Sequence, residues 1–129
     1  MQLSPFLRTI LKLDAASCLV MAAALAPGAA LLGSMLGIPA ALLTSAGISL
    51  IPIGLFILWL GSRERAPSML VYLVVAGNLG WTAASFVSLA LLPDVLPFGL
   101  AVVTAQALAV AAFALLELRG ARESQWASA

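Results

Sequence analysis

Between Lys12 and Arg63 the chain carries a single formal charge, Asp14. An average soluble domain would spread about a dozen charged residues over so long a stretch. Across all 129 residues 64% are apolar and only 9% charged, against about 25% charged in an average soluble domain. The charges also cluster, leaving runs close to the ~20 apolar residues needed to cross a ~30 Å hydrocarbon layer. The expected fold is all-α: a polytopic membrane protein forming an antiparallel bundle of four transmembrane helices.

The spans fall at about 13–32, 41–60, 69–92 and 98–118, followed by a polar tail at 119–129 that is expected to fray or lie along the surface. The connectors GSMLGIP (33–39), GSRERAPS (61–68) and PDVLP (93–97) each contain Gly or Pro breakers. Because each is short, successive helices are expected to be antiparallel neighbours. Pro27 and Pro52 lie within spans and should distort them by removing backbone hydrogen bonds. No room remains for a second domain.

Orientation follows from the cations. Arg8 and Lys12 precede span one, Arg63 and Arg65 separate spans two and three, and Arg119 and Arg122 follow span four. The other two loops have none, so the positive-inside rule puts both termini and the middle loop in the cytoplasm. The expected location is the bacterial inner (plasma) membrane. An N-terminal signal peptide fits poorly, since Asp14 interrupts the apolar region and proline follows the ALA at 24–26. The segment reads as a retained first span. Trp59 and Trp126 read as interfacial anchors.

Absences narrow the chemistry. The chain has no histidine and one cysteine, Cys18, so imidazole ligation, imidazole base catalysis and an internal disulfide are excluded. Cys18 reads as an inert small hydrophobe. No phosphate-binding glycine loop, metalloprotease motif, nucleophile elbow or paired-carboxylate arrangement is recognisable, and no basic stripe suits nucleic acid. The expectation is a non-enzymatic protein with no cofactor and no resident metal.

Its polar interior is the remaining source of function. Asp14 lies about 13 Å from the middle of span one, against a half-thickness of ~15 Å. It therefore reads as a boundary residue within reach of water and of Arg8, Arg63, Arg65 or Arg119, or alternatively as a proton or cation site. Asn78 and Gln106 fall near mid-membrane on adjacent spans. Exposure to lipid would leave their amides unpaired, so both should point inward and could bond across the helix pair. Ser49, beside Pro52, lies at a similar level. Asn78, Trp81, Ser85 and Ser88 share one stripe of span three at helical spacing. Small residues form parallel rows at Ala76, Gly80, Ala84 and Ser88, and at Ala101, Ala105, Ala109 and Ala112, which suits close helix packing in lipid. The candidate polar interior or transport path is thus Asp14, Asn78, Trp81, Ser85 and Gln106.

The segments LDA (13–15), LGIP (36–39), NLGWTAAS (78–85) and QALAVAAFALLEL (106–118) together resemble small four-span bacterial inner-membrane proteins. The resemblance implies location and fold and carries no activity. In length, span count and a first-helix acid the chain is also similar to small multidrug resistance transporters. It departs from them in the edge position of Asp14 and in its later helices, so their binding residues are not transferred. The sequence favours an accessory or structural subunit that packs against another membrane protein or against copies of itself, with the lipid bilayer as its medium. The alternative is a small-molecule or ion transporter or channel acting as a homo-oligomer.

In a Cys18→Ala background, single cysteines replacing Ser62 and Ala127 should label from the cytoplasmic side, and Asp94→Cys from the opposite side. Cytoplasmic labelling of Asp94→Cys would reverse the topology.

Overall fold

The computed structural model describes residues 1–128. It contains four helices: α1 Pro5–Leu36, α2 Ala40–Gly61, α3 Ser68–Leu91 and α4 Pro97–Ser128. All four are long and apolar enough to cross a membrane. Helices α2 and α3 match the expected spans 41–60 and 69–92 within a residue. By contrast α1 and α4, of 32 residues each, overrun the expected spans 13–32 and 98–118. The helix continues through Pro27 and Pro52.

The polar tail expected at 119–129 is not a frayed end over the described residues. It continues α4 to Ser128, with Gly120, Ala121 and Ser124 buried. The cause is local. The Ser124 hydroxyl accepts from the Ser4 backbone N–H at 3.1 Å, and the Ser4 hydroxyl accepts from Leu7 N–H, capping α1. Tyr72 on α3 donates to Gln125 at 2.7 Å. The last turns of α4 thus have partners on two helices. Ala129 lies outside the described residues.

The order of packing differs from the order of the chain. Helix α1 contacts both α2 and α4, and α4 contacts α3, but α2 and α3 barely touch. The expectation that successive helices are neighbours therefore fails at the middle connector. Viewed around the bundle, the sequence is α2, α1, α4, α3, with an open seam between α3 and α2.

A seven-residue glycine register explains the tightness of α1 against α2. Gly47, Gly54 and Gly61 recur on one face of α2, opposite Leu25, Cys18 and Leu11, which share the same spacing on α1. An added Cβ on Gly47 would stand 2.8 Å from the Ala26 backbone nitrogen, one on Gly54 2.9 Å from the Leu19 side chain, and one on Gly61 3.0 Å from Leu11 Cβ. A heptad keeps one face toward its partner along antiparallel rods, and small residues let backbones approach where lipid supplies little hydrophobic drive. By contrast, the rows foreseen on α3 and α4 lie outside: Ala76, Gly80, Ala84, Ala101, Ala105, Ala109 and Ala112 are all exposed.

Both ends of the bundle are fastened. At one end the chain before α1 pairs with the middle connector, Leu3 N–H donating to Glu64 O at 2.8 Å and Ala66 N–H to Met1 O at 3.0 Å. The Arg63 guanidinium lies 4.7 Å from the Trp59 ring centroid, a cation–π contact. At the other end Gly37, with φ 72°, turns the chain out of α1, and Leu96 N–H donates to Leu36 O at 2.9 Å. Any side chain at Gly37 would also collide with the Asp94 backbone.

Gly47→Val should therefore lower stability by about 2 kcal/mol through overpacking against backbone. Gly80→Ala, whose Cβ meets nothing within 4 Å, should be neutral or stabilising. Denaturant titration in mixed micelles measures both.

Candidate functional site

Three polar side chains from three helices meet inside the bundle: Asp14 of α1, Asn78 of α3 and Glu117 of α4. They are 1%, 7% and 0% exposed. The Asn78 amide nitrogen donates to Asp14 Oδ2 at 2.8 Å and to Glu117 Oε2 at 2.9 Å. Both carboxyl oxygens are thus bound to one nitrogen, which makes the two acids immediate neighbours. The Cys18 thiol lies 3.7 Å from Asp14 Oδ1, the reach of a weak S–H donor. Glu117 Oε1 is buried with no hydrogen-bond partner.

Helix geometry explains how these residues reach one another. Side chains tilt toward the N-terminus of their own helix. Because α1 and α4 are antiparallel, Asp14 and Glu117 lean toward each other in level. The register is set by Gly120 against Leu7 and by the Ser4–Ser124 bond. Asn78 lies about 15 Å along α3 from Ser68, and Asp14 about 14 Å along α1 from Pro5. Those two helix starts share a level through the Met1–Ala66 pairing.

Two expectations about this region are corrected. Asp14 does not sit at a wet boundary with a cationic partner. Leu7, Leu11, Ala15 and Val74 form part of the core around its level, and among the described residues no cation pairs with it. Arg8 Nε donates to Gly61 O at 3.5 Å, Arg119 pairs with Glu123 at 3.0 Å, Arg63 covers Trp59, and Lys12 and Arg65 are exposed. Secondly, a paired-carboxylate arrangement does exist, between Asp14 and Glu117. Spacing along the chain could not show it, because its members are more than a hundred residues apart. A signal was nevertheless present: Ala114, Glu117, Ala121 and Ser124 recur at intervals of 3, 4 and 3, marking Glu117 as part of a small, buried face.

Asn78 and Gln106 both point inward but do not bond to each other. Gln106 belongs to a second cluster nearer the opposite end of the bundle. Trp81 Nε1 donates to Gln106 Oε1 at 3.0 Å, and Gln106 Nε2 donates to Ser85 Oγ at 2.9 Å and Val103 O at 3.0 Å. Between the clusters, Thr82 Oγ1 lies 3.0 Å from Asn78 O and 3.2 Å from Ala107 O. Asn78 gives its amide to the acids because a carboxylate is the stronger acceptor, leaving Gln106 to Trp81 and Ser85.

The α2–α3 seam forms two cavities of about 380 Å³ each. The inner one is bounded by Cys18, Met21, Phe56, Gly77, Asn78 and Trp81, among others. The outer one is lined by Met21, Ser45, Ser49, Trp81, Ser85 and Gln106 together with apolar residues. Met21 and Trp81 belong to both, so the cavities adjoin and each reaches one polar cluster. Ser49, a polar residue of span two, bonds to Ser45 O and faces the outer cavity. Cys18, expected as an inert small hydrophobe, is buried, contacts Asp14 and borders the inner cavity. No family model, curated protein or solved structure matches this chain.

Asn78→Leu should destabilise the bundle by about 3 kcal/mol, since it strips two buried carboxyl groups of their common donor. Combined with Asp14→Asn, the loss should be less than additive. Additive losses in the same denaturant titration would show that the two residues are not coupled.

Proposed function

We propose that this protein is a small non-enzymatic membrane carrier that admits amphipathic molecules sideways into the α2–α3 seam. The observation that supports this is the seam itself, with two adjoining cavities that each reach an internal polar cluster. Cavities of several hundred cubic ångströms with apolar walls and a few convergent polar groups suit small ligands. The walls, with Phe56, Ile53, Leu73 and Trp81 on the inner side, fit an apolar body. Asn78 at one depth and Gln106 with Ser85 at the other fit a hydrogen-bonding head. Ionisable residues enclosed within a membrane span are expensive, which favours a working role for Asp14 and Glu117 over a structural one. In this reading the protein sits in a bacterial inner membrane with both termini cytoplasmic.

A second reading is that of an accessory subunit packed against another membrane protein or against its own copies. It is favoured by the exposed small-residue rows of α3 and α4, above all Gly80, around which an added Cβ finds open space. Gentle extraction in native lipid would then recover a defined assembly through these rows, and recovery only as a monomer would count against it.

The carrier reading is tested by native mass spectrometry of protein released from native-lipid particles. The wild-type chain should retain a small amphipathic molecule. Gly77→Phe, which projects a ring into the inner cavity from a position with nothing within 4 Å, should lose it. A ligand-free wild-type protein, or equal retention by the variant, would overturn the reading.

A further inference from the structure

The Asp14–Asn78–Glu117 cluster is short of both positive charge and hydrogen-bond donors. The amide of Asn78 has two hydrogens, and both are committed, one to each acid. Asp14 Oδ1 has only the Cys18 thiol at 3.7 Å, and Glu117 Oε1 has nothing. The groups facing the pair can be named helix by helix. Cys18 comes from α1 and Asn78 from α3. Helix α2 contributes the apolar Ile57 and Leu60 to the same core, and α4 adds Ala114 and Ala121, completely buried on either side of Glu117. No cation is among them. Two adjacent full negative charges in such an enclosure would repel strongly and lack solvation. A proton on one carboxyl removes a charge and supplies a donor. Neighbouring carboxyl groups that share one proton are an established solution to this problem.

We infer that Asp14 and Glu117 together bind a single proton, and that it exchanges with the surroundings past Asn78 and Cys18 through the inner cavity of the α2–α3 seam. Asn78 holds the two acids in register without neutralising either. Coupling of this proton to a passenger molecule rests on the carrier reading, whereas the proton's presence and route do not.

Infrared spectroscopy of the full chain in lipid nanodiscs at neutral pH reads the proton directly. Glu64, Asp94 and Glu123 are exposed and lie outside this enclosure, and the wild type should show one protonated-carboxyl band from the buried pair, sensitive to deuterium. Asp14→Asn and Glu117→Gln should each shift or abolish it, because each removes one of the two acids that hold the proton between them. Survival of the band at an unchanged frequency in Asp14→Asn would show that burial of Glu117 holds the proton without sharing, and absence of the band from the wild type would overturn the site altogether. Gly77→Phe should keep the band and slow its deuterium exchange several-fold, while unchanged exchange would overturn the route. These readouts need no ligand, so they stand or fall separately from ligand retention.

Discussion

One amide group ties three of the four helices of this bundle together. Asn78 donates both hydrogens of its nitrogen, one to an acid on α1 and one to an acid on α4, and so ties α3 to the helices on which the rest of the packing depends. In a low-dielectric interior such bonds are strong and their loss is expensive. A misplaced register of any of the three helices would leave buried carboxyl groups without donors. Apolar contacts in lipid discriminate poorly between one register and the next, because acyl chains are as apolar as leucine. The polar cluster supplies the discrimination that greasy surfaces lack.

Helix α2 is held by a different principle. It offers no polar side chain to the Asp14 cluster and is attached to α1 through the close approach at Gly47, Gly54 and Gly61. The bundle therefore has a polar-bonded part, α1–α4–α3, and a shape-bonded part, α1–α2. Nothing comparable joins α2 to α3, which is why the seam falls there and why both cavities lie along it.

Much of this architecture is legible in the chain. Gaps between charges mark the four helices, and the cost of an unpaired amide at mid-membrane turns Asn78 and Gln106 inward. Depth along the helix puts Asp14 within a turn or so of the end of α2, and Leu11 does pack on Gly61. What depth cannot reveal is enclosure: the overrun of α1 and α4 beyond α2 builds a cover of protein over a residue that would otherwise meet water. Glu117 was hidden by its company. Standing at the end of the expected fourth span, just before Arg119, Arg122 and Glu123, it draws no attention as a site residue, and only its small-residue neighbours on the same face betray burial. The α2–α3 seam was illegible for another reason. A short connector limits how far apart two helix ends can be, and says nothing about whether the helices touch.

The fastening of the bundle at both extremities has a further consequence. The residues before α1 are stitched to the loop ahead of α3 on one side, and Leu36 is stitched to Leu96 on the other, so the slit between α2 and α3 resembles a buttonhole, hemmed above and below. Such an opening can widen in its middle while its corners hold. In the carrier reading proposed above, traffic through it comes from the acyl-chain layer rather than from either aqueous compartment, and the solute's solubility in oil, more than its concentration in water, sets how often the slit is visited.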